Sequence, residues 1–207
     1  MIHRFRLVWS WMALLLALAL PAGAAPSIAL QPLGDVPSEE LDAVAARIGE
    51  AYPGSQVVRL PKRDLPASAW YAPRSRYRAE KLLMALGVWK PASVHKIIGV
   101  TSKDISTTKG PYPDWGIFGY GNIAGPACVV SDFRLKKNTD APGLRRRLSW
   151  VVAHELGHTF GLEHCPSRGC LMEDASGQVA TVDRSSGVFC PVCRKRLAQA
   201  GVQVAGN

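Results

Sequence analysis

The sequence predicts a mixed α/β layered fold with its chemistry on the last long helix. Stretches of helical period alternate with short apolar runs, residues 96–101 are apolar enough for a strand buried on both faces, and residues 144–160 read as a long helix carrying two histidines. At 207 residues the chain suits one domain around a single core.

The first residues are set apart from that fold. His3, Arg4 and Arg6 form a basic start, residues 7–20 are an almost unbroken apolar run, and Ala22-Gly23-Ala24 supplies the small residues of a cleavage site. The run is shorter than the roughly 18 to 20 residues that cross a bilayer. Residues 1–24 are therefore expected to be a signal peptide, and residues 25–207 a mature, soluble, exported domain, periplasmic or extracellular.

Pro26, Pro32 and Pro37 punctuate the next segment, which is expected to cover the cleft or to be disordered. Leu41, Val44, Ala45 and Ile48 then fall at helical spacing, with Ser38 placed as the N-cap. Tyr52-Pro53-Gly54 reads as a turn and residues 56–60 as a β-branched strand. A second helix suits residues 77–86, closed by Gly87. After the strand at 96–101, glycine, proline and aromatics crowd residues 104–127, with strands expected at 117–120 and 127–131. Gly143 leads into the long helix, and a cysteine-bearing loop and a short helix at about 192–200 close the chain.

His154-Glu155-Leu156-Gly157-His158 is an H-E-x-x-H motif within that helix. Residues four apart share a helix face, so both imidazoles reach one metal ion, while Glu155, about 100° further round, stands beside it. His164 follows six residues later and joins them only if the chain turns sharply, which Gly161 permits. Three protein ligands and an open position describe a catalytic zinc site. In such a site zinc acidifies water and polarises a carbonyl, and Glu155 takes the proton and passes it to the leaving amine. Glu163 reads as a surface charge.

Cys165, Cys170, Cys190 and Cys193 follow, a loose pair and then C-x-x-C. The spacing alone admits either a tetrahedral zinc site or two disulfides of an exported protein. Adjacency favours zinc: His164 and Cys165 point to opposite sides of an extended segment, so each serves a different metal. Cys128 is left over and reads as a small buried residue in a strand.

Taken together, the run His154-Glu155, His158, Gly161, His164-Cys165, Cys170, Met172, Cys190 and Cys193 resembles the signature of the archaemetzincins, gap for gap. The resemblance implies a metzincin-like zincin domain: a twisted mixed sheet packed on helices above the active-site helix, then a four-cysteine zinc loop and a C-terminal helix. It implies two zinc ions, one catalytic on His154, His158 and His164 with Glu155 as general base, and one structural on the four cysteines. It also implies that Met172 forms an apolar floor beneath the histidines and that residues 127–131 are the edge strand on which a peptide pairs.

The chain carries 25 Lys and Arg against 16 Asp and Glu, a net charge of +9 that falls to +7 once Arg4 and Arg6 are removed. The basic residues come in short clusters without interleaved aromatics, so a solvated surface rather than nucleic-acid binding is expected. The expected partner is a peptide or protein substrate met by a monomer. The alternative is a zinc-stabilised binding protein without catalysis, to which the carboxylate of Glu155 would be superfluous.

Overall fold

A computed structural model describes residues 25–205; segment 1–24, expected to be a signal peptide, lies outside the described residues. The segment expected to cover the cleft or be disordered is instead β1 (Ser27–Leu33), a strand in the body of the sheet with neighbours on both sides. Pro26 precedes it, and Pro32 lies near its end, where the missing N–H costs the ladder little. There follow α1 (Ser38–Ala51), β2 (Gln56–Arg59), β3 (Trp70–Tyr71), β4 (Arg76–Arg78), α2 (Ala79–Trp89), β5 (Lys96–Thr101), β6 (Ile105–Lys109), β7 (Tyr112–Ile117), β8 (Gly119–Gly121), β9 (Ala127–Ser131), α3 (Ala141–Thr159), α4 (Val179–Arg184) and α5 (Pro191–Gln199).

Five strands form the main sheet in the order β2-β1-β5-β9-β8, parallel except for β8, which runs antiparallel to β9. Its two faces follow strand alternation. Ile28, Leu30, Ile98, Val100, Cys128 and Val130 pack toward α1 and α3, whereas Ala29, Leu33, Ile97 and Val129 pack toward α2. Gly99 faces α2, and a Cβ there would lie 2.8 Å from Leu86 and 2.9 Å from Leu33, so its absence lets the helix sit close. Cys128 is fully buried, as expected.

Several expected boundaries shift for local reasons. Pro37 immediately precedes α1, and Ser38 is its first residue and makes no cap hydrogen bond. Residues 76–78 are strand rather than helix, and α2 runs through Gly87 to Trp89 because Leu82, Leu83 and Leu86 commit its face to the core. α3 begins at Ala141, where Asp140 accepts a 2.8 Å hydrogen bond from the Gly143 N–H and a proline occupies the first turn. The supposed edge strand at 127–131 is interior, since β9 pairs with both β5 and β8; β8 is the edge.

A second sheet, β3-β4-β6-β7, was not foreseen beyond the stretch at 117. It is held by charge as much as by apolar burial. Arg134 pairs with both Asp104 oxygens at 2.7 and 2.9 Å, and Arg76 reaches Asp104 at 3.2 Å and Asp114 at 3.4 Å. Among the described residues no helix is long and apolar enough to cross a membrane.

Candidate metal centre and active-site cleft

α3 positions the first two histidines. His154 and His158 leave the same face one turn apart, with ring centroids 4.7 Å and Nε2 atoms 3.1 Å from each other. Helix α3 then ends, Gly161 takes φ +97°, and the reversal carries His164 to 5.3 and 4.9 Å from the other two rings. One nitrogen of each ring lies within 4.8 Å of the others.

The remaining ring nitrogens explain the orientation. Nδ1 of His154 meets the Leu171 carbonyl and Nδ1 of His158 the Leu162 carbonyl, each at 2.7 Å. Donation from Nδ1 fixes the tautomer and leaves a lone pair on each Nε2. Two such lone pairs facing each other satisfy neither ring, but they match two ligands of one tetrahedral ion with bonds of about 2.0–2.1 Å. Burial, helped by the facing ring of His158, holds the His154 pKa down to about 3, and burial lowers that of His158 as well. Both imidazoles are neutral at neutral pH, the form that binds metal.

Glu155 is buried against β8. A Cβ on Gly119 would lie 2.6 Å from the Glu155 side chain, and one on Gly121 would lie 2.7 Å from its backbone oxygen. These two glycines allow the edge strand and the carboxylate to share the space. Burial raises the Glu155 pKa to about 8, against the pull of the Gly121 N–H. Below the helix, Met172 is fully buried, and a Cβ on Gly157 would come 2.7 Å from its Sδ. The glycine inside the motif therefore makes room for the methionine. Lys96 secures the helix end, donating to the carbonyls of Thr159 at 2.7 Å and Gly125 at 3.0 Å.

The four cysteines form a second cluster beside the first. Sγ of Cys165 lies 3.7 Å from that of Cys190, and Sγ of Cys170 lies 3.8 Å from that of Cys193, with all four within 4.8 Å. Sulfurs on one tetrahedral zinc, with bonds of about 2.3 Å, are separated by this much; a disulfide needs about 2.05 Å. All four are free thiols. Burial raises the pKa of Cys170 and Cys193. Burial also opposes ionisation of Cys190, yet the Cys193 N–H and the neighbouring thiols bring it to about 7. A buried cluster of this kind reaches four thiolates only when a cation compensates the charge.

Both the histidines and Glu155 open onto a cleft of about 650 Å³. Thr107, Trp115, Asp174 and Thr181 are among the residues that line it. Glu163 is exposed, as expected, at the cleft margin. Sequence reasoning missed Gly119, Gly121, Gly157 and the carbonyls of Leu162 and Leu171. The H-E-x-G-H spelling was the one available hint, since it puts glycine in a helix interior where propensity disfavours it.

Comparison with known proteins agrees with this geometry. The model of Peptidase family M54 matches residues 40–199. The chain is similar to an archaemetzincin of Halobacterium salinarum, 32% identical over 174 residues that cover 80% of this chain and 96% of the relative. It is also similar to one of Methanopyrus kandleri, 35% identical over 146 residues covering 70% and 79%. The crystal structure of archaemetzincin from M. kandleri superposes with a TM-score of 0.75 at 31% identity, covering 87% of this chain and 98% of that one. That from Archaeoglobus fulgidus, complexed with malonate, gives 0.69 at 30% identity, covering 82% and 99%. The mixed α/β architecture, the paired clusters of metal-binding residues and these likenesses lead to one conclusion: the chain belongs to peptidase family M54, the archaemetzincins, and is a zinc metallopeptidase.

Proposed function

We propose that His154, His158 and His164 hold the catalytic zinc, that Glu155 is the general base, and that Cys165, Cys170, Cys190 and Cys193 hold a second, structural zinc. The observation that carries the reading is the convergence of three imidazoles beside a buried carboxylate at the foot of one cleft. Zinc held there supplies Lewis acidity, acidifying water and polarising the scissile carbonyl. The protein's own groups do the rest. The free edge of β8 offers backbone hydrogen bonds to an extended peptide and holds its carbonyl at the histidine face. The Glu155 carboxylate takes a proton from the attacking water as the C–O bond forms, and passes it to the amide nitrogen as the C–N bond breaks. Burial strengthens the carboxylate as a base.

Replacing Glu155 with Gln is expected to lower kcat by about 10²–10⁴ while zinc content stays at the wild-type level. Activity equal to wild type would overturn the assignment. Elemental analysis is expected to give two zincs per chain, one lost in His158→Ala and the other in Cys165→Ser.

We further propose that the enzyme is exported, cleaved near Ala25, and acts on peptides as a monomer without nucleic acid. Residues 1–24 support export. The pairing of Arg76 and Arg134 with acidic partners supports the last point, because part of the basic composition is spent inside the fold. N-terminal sequencing of the secreted material, sedimentation and a nucleic-acid binding assay check the three statements.

A further inference from the structure

The β6–β7 hairpin and the loop at residues 173–178 meet across the cleft. Lys109, near the hairpin tip, places its Nζ 3.8 Å from Asp174 Oδ2 and 5.7 Å from the centre of the Trp115 ring. The Trp115 indole lies against Gly177, where a Cβ would sit 3.5 Å from its Nε1. Both sides are shaped for the contact. The β6–β7 ladder slips between Thr107 and Lys109, an irregularity of the kind that re-aims a side chain. Opposite, Asp174 accepts from the Ser176 N–H at 2.7 Å and from its hydroxyl at 3.0 Å, while Ser176 and Gly177 both take left-handed backbone, φ 46° and 76°. Residues of both segments line the same cleft as Glu155 and the histidines.

We propose that this contact is a strap across the leaving-group side of the cleft, and that it selects peptides ending shortly beyond the scissile bond. The inference rests on the reading above, in which cleavage occurs at Glu155 and the histidine site. A peptide adding to the free edge of β8 in the antiparallel sense, the pairing with the straighter hydrogen bonds, runs opposite to Gly119–Gly121. Its C-terminal part therefore heads past Gly119 toward β7 and the hairpin. A chain that ends there fits beneath the strap. A longer one has to part Lys109 from Asp174 and Trp115 from Gly177. The lysine and aspartate side chains are 47% and 43% exposed, so the ion pair is screened and the strap opens at a cost rather than forming a fixed wall.

The test uses the zinc-loaded full chain and two series of quenched-fluorescence peptides, one lengthened on the C-terminal side of the scissile bond and one on the N-terminal side. In the wild type kcat/KM falls by about tenfold or more along the first series, the equivalent of about 1.4 kcal/mol, and changes little along the second. Lys109→Ala and Asp174→Asn each flatten the first series, and the charge swap of Lys109→Asp with Asp174→Lys restores its slope. Affinities of the same peptides for the Glu155→Gln enzyme, read by calorimetry, follow the same order. A flat wild-type C-terminal series, or a slope unchanged in both single variants, overturns the strap. Length-dependent binding without cleavage of any peptide supports the strap and overturns the catalytic assignment instead.

Discussion

The histidine and cysteine clusters adjoin at His164 and Cys165, yet they are held in opposite ways. His154 and His158 stand on α3, a helix of 19 residues packed on α1 and the main sheet, and their second ring nitrogens are fastened to carbonyls. Cys165 and Cys170 lie on irregular chain, Cys190 only precedes α5, and Cys193 alone is inside a helix. Their backbone is held by isolated hydrogen bonds such as Cys165 N–H to the Met172 carbonyl and Leu171 N–H to the Val188 carbonyl, 2.8 and 2.9 Å. The fold builds the histidine site before any metal arrives. On the reading proposed above, zinc at the cysteine site helps to build the fold, because the ordering entropy of a loop rich in turns is offset only in part by its apolar burial.

The largest expected effect tests that asymmetry directly. Cys193→Ser removes a buried thiol from the proposed zinc cluster, and structural zinc in small modules is worth about 10 kcal/mol or more. Here Leu162, Leu171, Phe189 and Leu197 are buried in the same core cluster as residues of α1, α3 and the main sheet, so the loss is smaller but still several kcal/mol on that scale. Thermal unfolding is expected to show a large fall in Tm for Cys193→Ser and a small one for His158→Ala. Equal falls would break the comparison and mean that both sites support the fold alike.

The same asymmetry decides what was legible in the sequence. A shared metal ion would impose spacing on the chain, so the candidate ligands His154, His158, His164 and the four cysteines stood out, as did Gly161, whose left-handed φ has a residue-type signature. Long elements with one buried face, α1, α3 and β5, announced themselves by period or apolar density. β1 did not, because Pro32 inside Ser27–Leu33 looked like a loop signal. The second sheet was hidden by short strands such as Tyr112–Ile117, which carry proline, glycine and aspartate and rely on arginine pairing. The edge strand was misplaced because Ala127–Ser131 is buried along its whole length, the mark of an interior strand, whereas Gly119–Gly121 has almost no side chains to read. Carbonyls that orient histidines leave no trace in residue type at all.

A smaller effect is expected where the two regions touch. Gly157 belongs to α3 and Met172 to the loop between cysteines, and a methyl group at 157 would press on Met172 Sδ at 2.7 Å, with Phe189 at 3.4 Å. Gly157→Ala brings better helix propensity, worth about 1 kcal/mol, against overpacking of about 1–3 kcal/mol. The net result is modest destabilisation, but the displacement falls on the loop whose Leu171 carbonyl holds His154. Zinc affinity at the histidine site, measured by chelator competition, is therefore expected to drop more than Tm does. If Tm falls and affinity holds, Met172 only fills space.

The smallest effect asks whether ordinary side-chain contacts also fasten the cysteine-bearing half to α3. Arg147 on α3 makes a two-pronged pair with Asp183 on α4, 2.7 and 2.8 Å, and donates to the carbonyls of Leu135 and Lys137. The arginine holds the Asp183 pKa below its ordinary 3.8. A depressed folded-state pKa means the stabilisation is present above 3.8 and is lost as pH falls through the folded value. Asp183 is about a third exposed, so screening limits the pair to about 1 kcal/mol. Asp183→Asn is accordingly expected to lower Tm slightly at neutral pH, with the gap to wild type closing as the pH drops from about 5 to about 3. A gap that stays constant over that range would show that the charge contributes nothing. The cysteine cluster and apolar packing would then be what joins this half of the molecule to the helix that carries His154 and His158.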